Sequence, residues 1–203
     1  MKKLFIIVAA MFVAVSFSAC SDDKDDVPYD DSPKIEFKDP NFLKALLSLR
    51  IDGSGNGYVT FIDNYIYNRN EIDVNKDGQI SEQEANFVGY LSFEGAENNI
   101  KNMDGLDKFP NLTGLRCNDT QCASLDLSTL HGSFYLFDCH NNNNLESINL
   151  SGYYSPAVYF SINISDNPKL KSLVLRKYLI KYIGQSSIDK IVEEYGDIIT
   201  YVD

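Results

Sequence analysis

From Asp73 to Glu84 the chain reads DVNKDGQISEQE, and its oxygen-bearing groups are spaced as a cation would need them. Asp73, Asn75 and Asp77 hold the first, third and fifth places, and Gly78 permits a sharp turn at the sixth. The Gln79 carbonyl takes the seventh place, Ser81 the ninth and Glu84 the twelfth, where a carboxylate binds through both oxygens. Ca²⁺ takes about 6–8 oxygen ligands in flexible geometry, which this spacing supplies. Ile80 is the apolar residue that docks such a loop on its neighbour. A metal-free account covers part of the pattern. Asp77-Gly78 turns on its own, and Ser81 with Glu84 forms a helix capping box. Neither calls for Asp73 and Asn75.

A weaker copy, DGSGNGYVTFID, precedes it. Asp52, Ser54 and Asn56 stand at the first, third and fifth places, the Tyr58 carbonyl at the seventh, and Asp63 replaces glutamate at the twelfth. Its glycines loosen the loop and aspartate reaches less far, so metal binding and a metal-free partner loop are both open here. In paired loops Val59 and Ile80 would meet in a short β-bridge.

Other chemistry is sparse. His131 and His140 have no nucleophile or base patterned around them, and no catalytic residues are assigned. Cys117, Cys122 and Cys139 are expected as buried thiols, with a Cys117–Cys139 or Cys117–Cys122 disulfide as the alternative outside the cytoplasm. Zinc held by these three and His140 is disfavoured, because Cys139 and His140 are adjacent on a strand and point to opposite faces.

Helices must position the acidic loops. Asp39-Pro40 reads as N-cap and first helical residue, and Phe42, Leu43, Leu46 and Leu47 give one apolar face to about Arg50. Thr60 with Asp63 predicts a second helix to about Asn70, serving both loops. Ser81 predicts a third to about Val88. Near the C-terminus Ser187 precedes a helix with Ile188, Ile191, Val192 and Tyr195 on one face; Gly196 ends it, and DIITYV reads as a last strand.

Between these ends the chain repeats itself. Leu115-x-Cys117, Phe137-x-Cys139 and Ile162-x-Ile164 occupy one place in three copies, followed by Thr120, Asn142 and Asn167. Then come Leu125/Leu127, Leu145/Ile148/Leu150 and Leu170/Leu173/Leu175, and Leu91-x-Phe93 begins an earlier copy. One such unit cannot bury its apolar face alone, whereas stacked units share a core.

The DVNKDGQISEQE segment resembles an EF-hand calcium loop, and the repeats resemble leucine-rich repeats, with Thr120 for asparagine and unequal lengths as departures. At the N-terminus two lysines precede an apolar run over residues 1–19, as in a secretory leader. The FSAC that follows resembles the lipobox of bacterial lipoproteins, which implies acylation of Cys20 and a lipid anchor in a membrane. Residues 20–33 are rich in aspartate and too polar to fold alone; such a run after an acylated cysteine resembles the export signal of surface lipoproteins. Together these features resemble bacterial surface leucine-rich-repeat lipoproteins with an EF-hand-like calcium cap.

The expected fold is therefore α/β: a short leucine-rich-repeat solenoid over 90–183, an N-terminal helical EF-hand-like cap over 34–89, and a C-terminal helix-strand cap over 184–203. Ca²⁺ is the expected cofactor and the outer membrane the expected location. A net charge of −11 disfavours nucleic acid, whose phosphates need a basic face. Outward strand positions place Arg116, Asp138, His140 and Asn163 in rows that suit a protein or glycan ligand. Tyr153 and Tyr154 are candidates for sugar stacking or protein contact, with core packing as their alternative. The expected function is non-enzymatic binding; the alternative is a structural lipoprotein of an envelope complex with no ligand of its own.

Overall fold

The computed structural model describes residues 30–54, 57–62, 69–93, 99–131, 134–153 and 160–203. The expected leader, Cys20 and residues 21–29 lie outside them. The described chain is a mixed α/β structure: two β-sheets with few helices, packed around one continuous apolar core.

Helix α1 (Pro40–Ser48) forms where expected. The Asp39 side chain accepts from Asn41 N at 2.8 Å and Pro40 supplies the first helical φ, while Phe42, Ala45 and Leu46 bury one face. The second Asp39 oxygen accepts from Lys101 N at 2.6 Å and Asn102 N at 3.1 Å, so one carboxylate starts the helix and pins a distant loop to it.

The expected middle helix is not formed at its start. Gly57–Phe61 is strand β1, with every second side chain buried, and residues 63–68 lie outside the described set. It is rich in β-branched and aromatic residues and alternates in burial, which suits a pleat better than a helix. Strand β1 runs antiparallel to β2 (Val88–Phe93). Gly57 has φ 144°, and a Cβ there would lie 2.1 Å from Ser92 O, so only glycine lets the strands meet at that point. Val59 therefore faces Leu91, not Ile80, and the expected loop-to-loop bridge is replaced by this pairing. Helix α2 is a single turn, Glu82–Ala85, because the apolar run from Val88 is claimed by β2. The expected boundary at 89/90 thus falls inside a strand.

From there the chain alternates between sheets. Strands β3 (Gly114–Cys117), β5 (Leu136–Asp138) and β7 (Ser161–Asn163) extend the first sheet in parallel beyond β2. Strands β4 (Ser124–Asp126), β6 (Ser147–Asn149) and β8 (Ser172–Arg176) form the second, with β9 (Ile199–Val202) beside β8. Registers are direct: Leu115 faces Phe137 and Phe137 faces Ile162; Leu125 faces Ile148 and Ile148 faces Leu173. All these side chains are buried between the sheets.

The corners after β3, β5 and β7 are built the same way. Asp119, Asn141 and Asp166 adopt left-handed φ of 56°, 59° and 57°, a conformation that asparagine and aspartate tolerate. The next residues are Thr120, Asn142 and Asn167, all buried. Asn142 Oδ1 accepts from Thr120 N at 2.7 Å, and Asn167 Oδ1 accepts from Asn142 N at 2.9 Å. The amide nitrogens donate to backbone carbonyls, Asn142 to Cys117 O and Cys139 O, Asn167 to Cys139 O and Ile164 O. A buried corner would otherwise strand these groups at about 1–3 kcal/mol each.

Helix α3 (Gln185–Tyr195) follows, its start three residues ahead of expectation, and buries Ile191 and Tyr195.

Candidate functional site

The acidic loop is closed by hydrogen bonds from its own backbone to its own side chains. Gly78 has φ 79°. The two Asp73 oxygens accept from Asp77 N at 3.1 Å and Gly78 N at 2.9 Å. Asn75 Oδ1 accepts from Asp77 N, and Asp77 Oδ1 from Gln79 N at 2.9 Å. Glu84 closes the loop, accepting from Val74 N and Ser81 N at 2.9 Å each, while Ser81 Oγ caps α2 through Glu84 N at 3.0 Å.

The donor set (carboxylates, an amide oxygen, a hydroxyl and the Gln79 carbonyl) is the hard-oxygen set that Ca²⁺ prefers. Each carboxylate oxygen bonded to one N–H keeps a further lone pair for a metal. Among the described residues no three His, Cys, Asp or Glu side chains are grouped as a metal site. The loop's charge is met by Lys34, whose Nζ lies 2.7 Å from Asp77 Oδ2. This ammonium holds the Asp77 carboxyl below its usual range, and Asp77 raises Lys34 in return. Lys34 comes from an entering segment stitched to the loop's exit. Ile35 N donates to Ile80 O at 2.8 Å, Glu82 N to Pro33 O at 2.9 Å, and Ser81 Oγ meets Asp30.

The weaker loop is resolved differently. Asp52 Oδ1 accepts from Ser54 N at 2.9 Å, a local turn. Tyr58 stands in β1 opposite Ser92 and bridged to Arg50, so the second half of this loop is strand. Asn56 and Asp63 lie outside the described residues. From Gly57 to Phe61 this segment is the edge strand of the first sheet.

On the first sheet's outer face the structure gathers four of the expected residues. Asp138 is 8% exposed and accepts from Arg116 Nε at 3.1 Å and Asn163 Nδ2 at 3.2 Å; His140 Nδ1 lies 2.6 Å from its other contact, Oδ1. A carboxylate only accepts, so His140 carries hydrogen on Nδ1 and, when neutral, leaves Nε2 as an acceptor. Asn118 joins them, its amide within 3.2 Å of Asp138 Oδ1 and of His140 Nδ1. This row collects around one buried carboxylate, a network and not an isolated surface pair.

Tyr153 is not part of any ligand surface. It is fully buried, its ring 4.1 Å from that of Phe134, because the repeat folds it under the second sheet's corner. Tyr154 lies outside the described residues. Cys117, Cys122 and Cys139 are free and buried. The hydrogen bond to Cys139, with burial, pushes the Cys117 thiol well up, and burial pushes Cys122 up to about 12.

Sequence reasoning missed Lys34 and Tyr195. A lysine two residues before an apolar stretch carries no signal of its own. Tyr195 reads as one more apolar helix residue, yet its hydroxyl completes the last corner.

Compared with family models, curated proteins and solved structures, the chain matches none of them. No described helix is long and apolar enough to cross a membrane.

Proposed function

We propose that this chain is a surface-anchored, calcium-binding leucine-rich-repeat lipoprotein whose task is non-enzymatic binding of a protein or glycan. The observation that carries the binding role is the row around Asp138, where Arg116, His140, Asn163 and Asn118 converge on the exposed side of the first sheet. A sheet face with fixed, directional polar groups recognises by shape and hydrogen bonds.

The leucine-rich-repeat reading is supported by the alternation of strands between two parallel sheets and by the asparagine corners. In this reading residues 34–89 cap one end and α3 with β9 the other. Ca²⁺ would be held by Asp73, Asn75, Asp77, the Gln79 carbonyl, Ser81 and Glu84. The ion would neutralise the loop and fix its exit turn. Cys20 would carry the acyl chains at the outer membrane.

Two measurements test this reading. Fatty-acid labelling of cells should mark the chain and be lost in Cys20→Ser; labelling that persists would remove the anchor. The purified chain, with calcium present, is then screened against extracellular proteins and a glycan array. A ligand weakened at least tenfold by Asp138→Ala, at unchanged fold, supports binding at the row. Recovery of only envelope proteins, insensitive to that substitution, would favour an accessory role in an envelope complex.

A further inference from the structure

Among the described residues the first sheet ends at β7, with no further strand beside it. A cleft of about 740 Å³ separates the outer edge of β7 from α3. Its lining includes Ser161, Ile162, Asn163 and Ser165 on one side and Lys190, Glu193 and Glu194 on the other.

The backbone of β7 decides what such a cleft can hold. In a parallel ladder the N–H and C=O of one residue turn to one neighbour, and those of the next residue turn to the other. Ser161 N donates to Tyr135 O at 2.8 Å, and Asn163 O accepts from Cys139 N at 2.8 Å, so these two residues face β5. Ile162 therefore turns its N–H and C=O into the cleft, and no described strand lies on that side. The pairing edge is bounded. Below, Phe160 N is taken by Tyr182 O at 2.9 Å and Phe160 is bridged to Ile183. Above, Ile164 O accepts from Asn167 Nδ2 and the Tyr195 hydroxyl. After Gly184 the chain turns into α3, and no described residue pairs with the outer side of Ile162.

We propose that this cleft binds an extended peptide, which adds a short strand to the first sheet at Ile162 and carries a basic side chain toward Glu193. This rests on the binding-module reading and names the ligand class and its place. An edge residue with paired donor and acceptor matches another main chain, as in peptide recognition by strand addition. Charge selects the side chain. Glu193 and Glu194 outnumber Lys190 in the lining, in a chain of net charge −11. Glu194 is engaged by Asp166 N, which donates to its Oε1 at 3.3 Å, and this leaves Glu193, exposed on α3, to meet a cation. A sugar is the poorer fit, because the one aromatic among the described lining residues, Tyr195, is buried with its hydroxyl in use and offers no stacking face. Asn163 belongs both to this cleft and to the row around Asp138, which crosses the strands, so a side chain of the added strand would stand next to Asn163 at the end of that row.

The test uses the full chain and a library of capped heptapeptides of threonine and valine with one arginine placed at each position in turn. Binding is read by fluorescence anisotropy, and the site by amide hydrogen exchange. The expected result is binding by a subset of arginine positions, with at least tenfold slower exchange at Ile162. Glu193→Lys, on an exposed helix position, should weaken binding at least tenfold without changing the melting temperature. N-methylation scanned along the best peptide should abolish binding at every second residue, the period of a paired strand. Peptide binding that protects Arg116 to His140 but not Ile162, or an N-methyl scan without that period, overturns strand addition while the binding module stands. Binding of glycans alone overturns the peptide class. If peptides, the glycan array and the protein panel all fail, the binding reading falls with it.

Discussion

The Tyr195 hydroxyl stands toward Asn167 as Asn167 stands toward Asn142. It accepts from Asn167 N at 3.2 Å and donates to Ile164 O at 2.9 Å, the two services an asparagine side chain performs one corner earlier. A helix residue thus completes a series begun by loop residues. Removing the oxygen alone, in Tyr195→Phe, leaves a buried N–H without its acceptor. It should cost about 1–3 kcal/mol in denaturant unfolding. Asn167→Ala should cost more, since it strands groups at two corners. A Tyr195→Phe variant as stable as the parent would show that water serves the corner equally well.

Tyr153 presents the opposite case. Its hydroxyl is buried with no hydrogen-bond partner among the described residues, and burial pushes its pKa well up. Tyr153→Phe should keep the packing on Phe134 and raise stability by about 1 kcal/mol. Thermal unfolding of the pair of proteins checks the sign.

The acidic loop should respond to metal. Extracellular calcium loops of this type bind at about 10⁻⁴–10⁻³ M. At free Ca²⁺ 100-fold above Kd one site adds about 2.7 kcal/mol. Calorimetric titration after chelation should show binding and a rise in Tm, both absent in Glu84→Gln. Lys34→Met should tighten calcium binding, because the ammonium now beside Asp77 competes for the same charge. Unchanged heat and melting in the parent chain would leave the loop a capped turn.

Asp39 links stability to pH. Burial pushes its carboxyl up, but the N–H groups of Lys101, Asn41 and Asn102 outweigh burial, and the net pKa lies below the usual value. Its unfolded pKa is about 3.9. The stability it contributes is full above that value and is lost as pH falls through the lower folded pKa. Unfolding curves between pH 6 and about 2 should therefore steepen in acid less for Asp39→Asn than for the parent.

The thiols should be silent in the folded chain. Cys117, Cys122 and Cys139 are buried, and the pKa values of Cys117 and Cys122 are raised, so little reactive thiolate meets the reagent. An aromatic disulfide reagent should label these three at the rate of unfolding. Fast labelling of the native chain would contradict their burial.

Much of this arrangement was readable from residue order. Leu115, Phe137 and Ile162 mark the first-sheet strands because their inward faces recur, and Asn142 and Asn167 mark the corners because a buried turn needs an amide. Asp39-Pro40 announced α1 through local chemistry. The strand at Gly57–Phe61 was hidden, since its glycines and Thr60 also fit a metal loop and a helix start; only pairing with Val88–Phe93 decides between them, and that contact is distant in sequence. The shortening of α2 has the same cause. In the candidate site, the Arg116, Asp138, His140 and Asn163 row followed from strand alternation. Lys34 did not, because an ion pair across forty residues leaves no local pattern.

The stitching of residues 30–35 to the acidic loop has a mechanical consequence. A pull on the chain ahead of Asp30 reaches the Pro33 and Ile35 backbone bonds to Glu82 and Ile80 before it reaches any sheet. Tension would peel that short seam first and open the loop at Ser81, while the parallel strands behind it bear load only afterwards. The loop is the fuse of the molecule, and a cation bound there would set the force at which it yields.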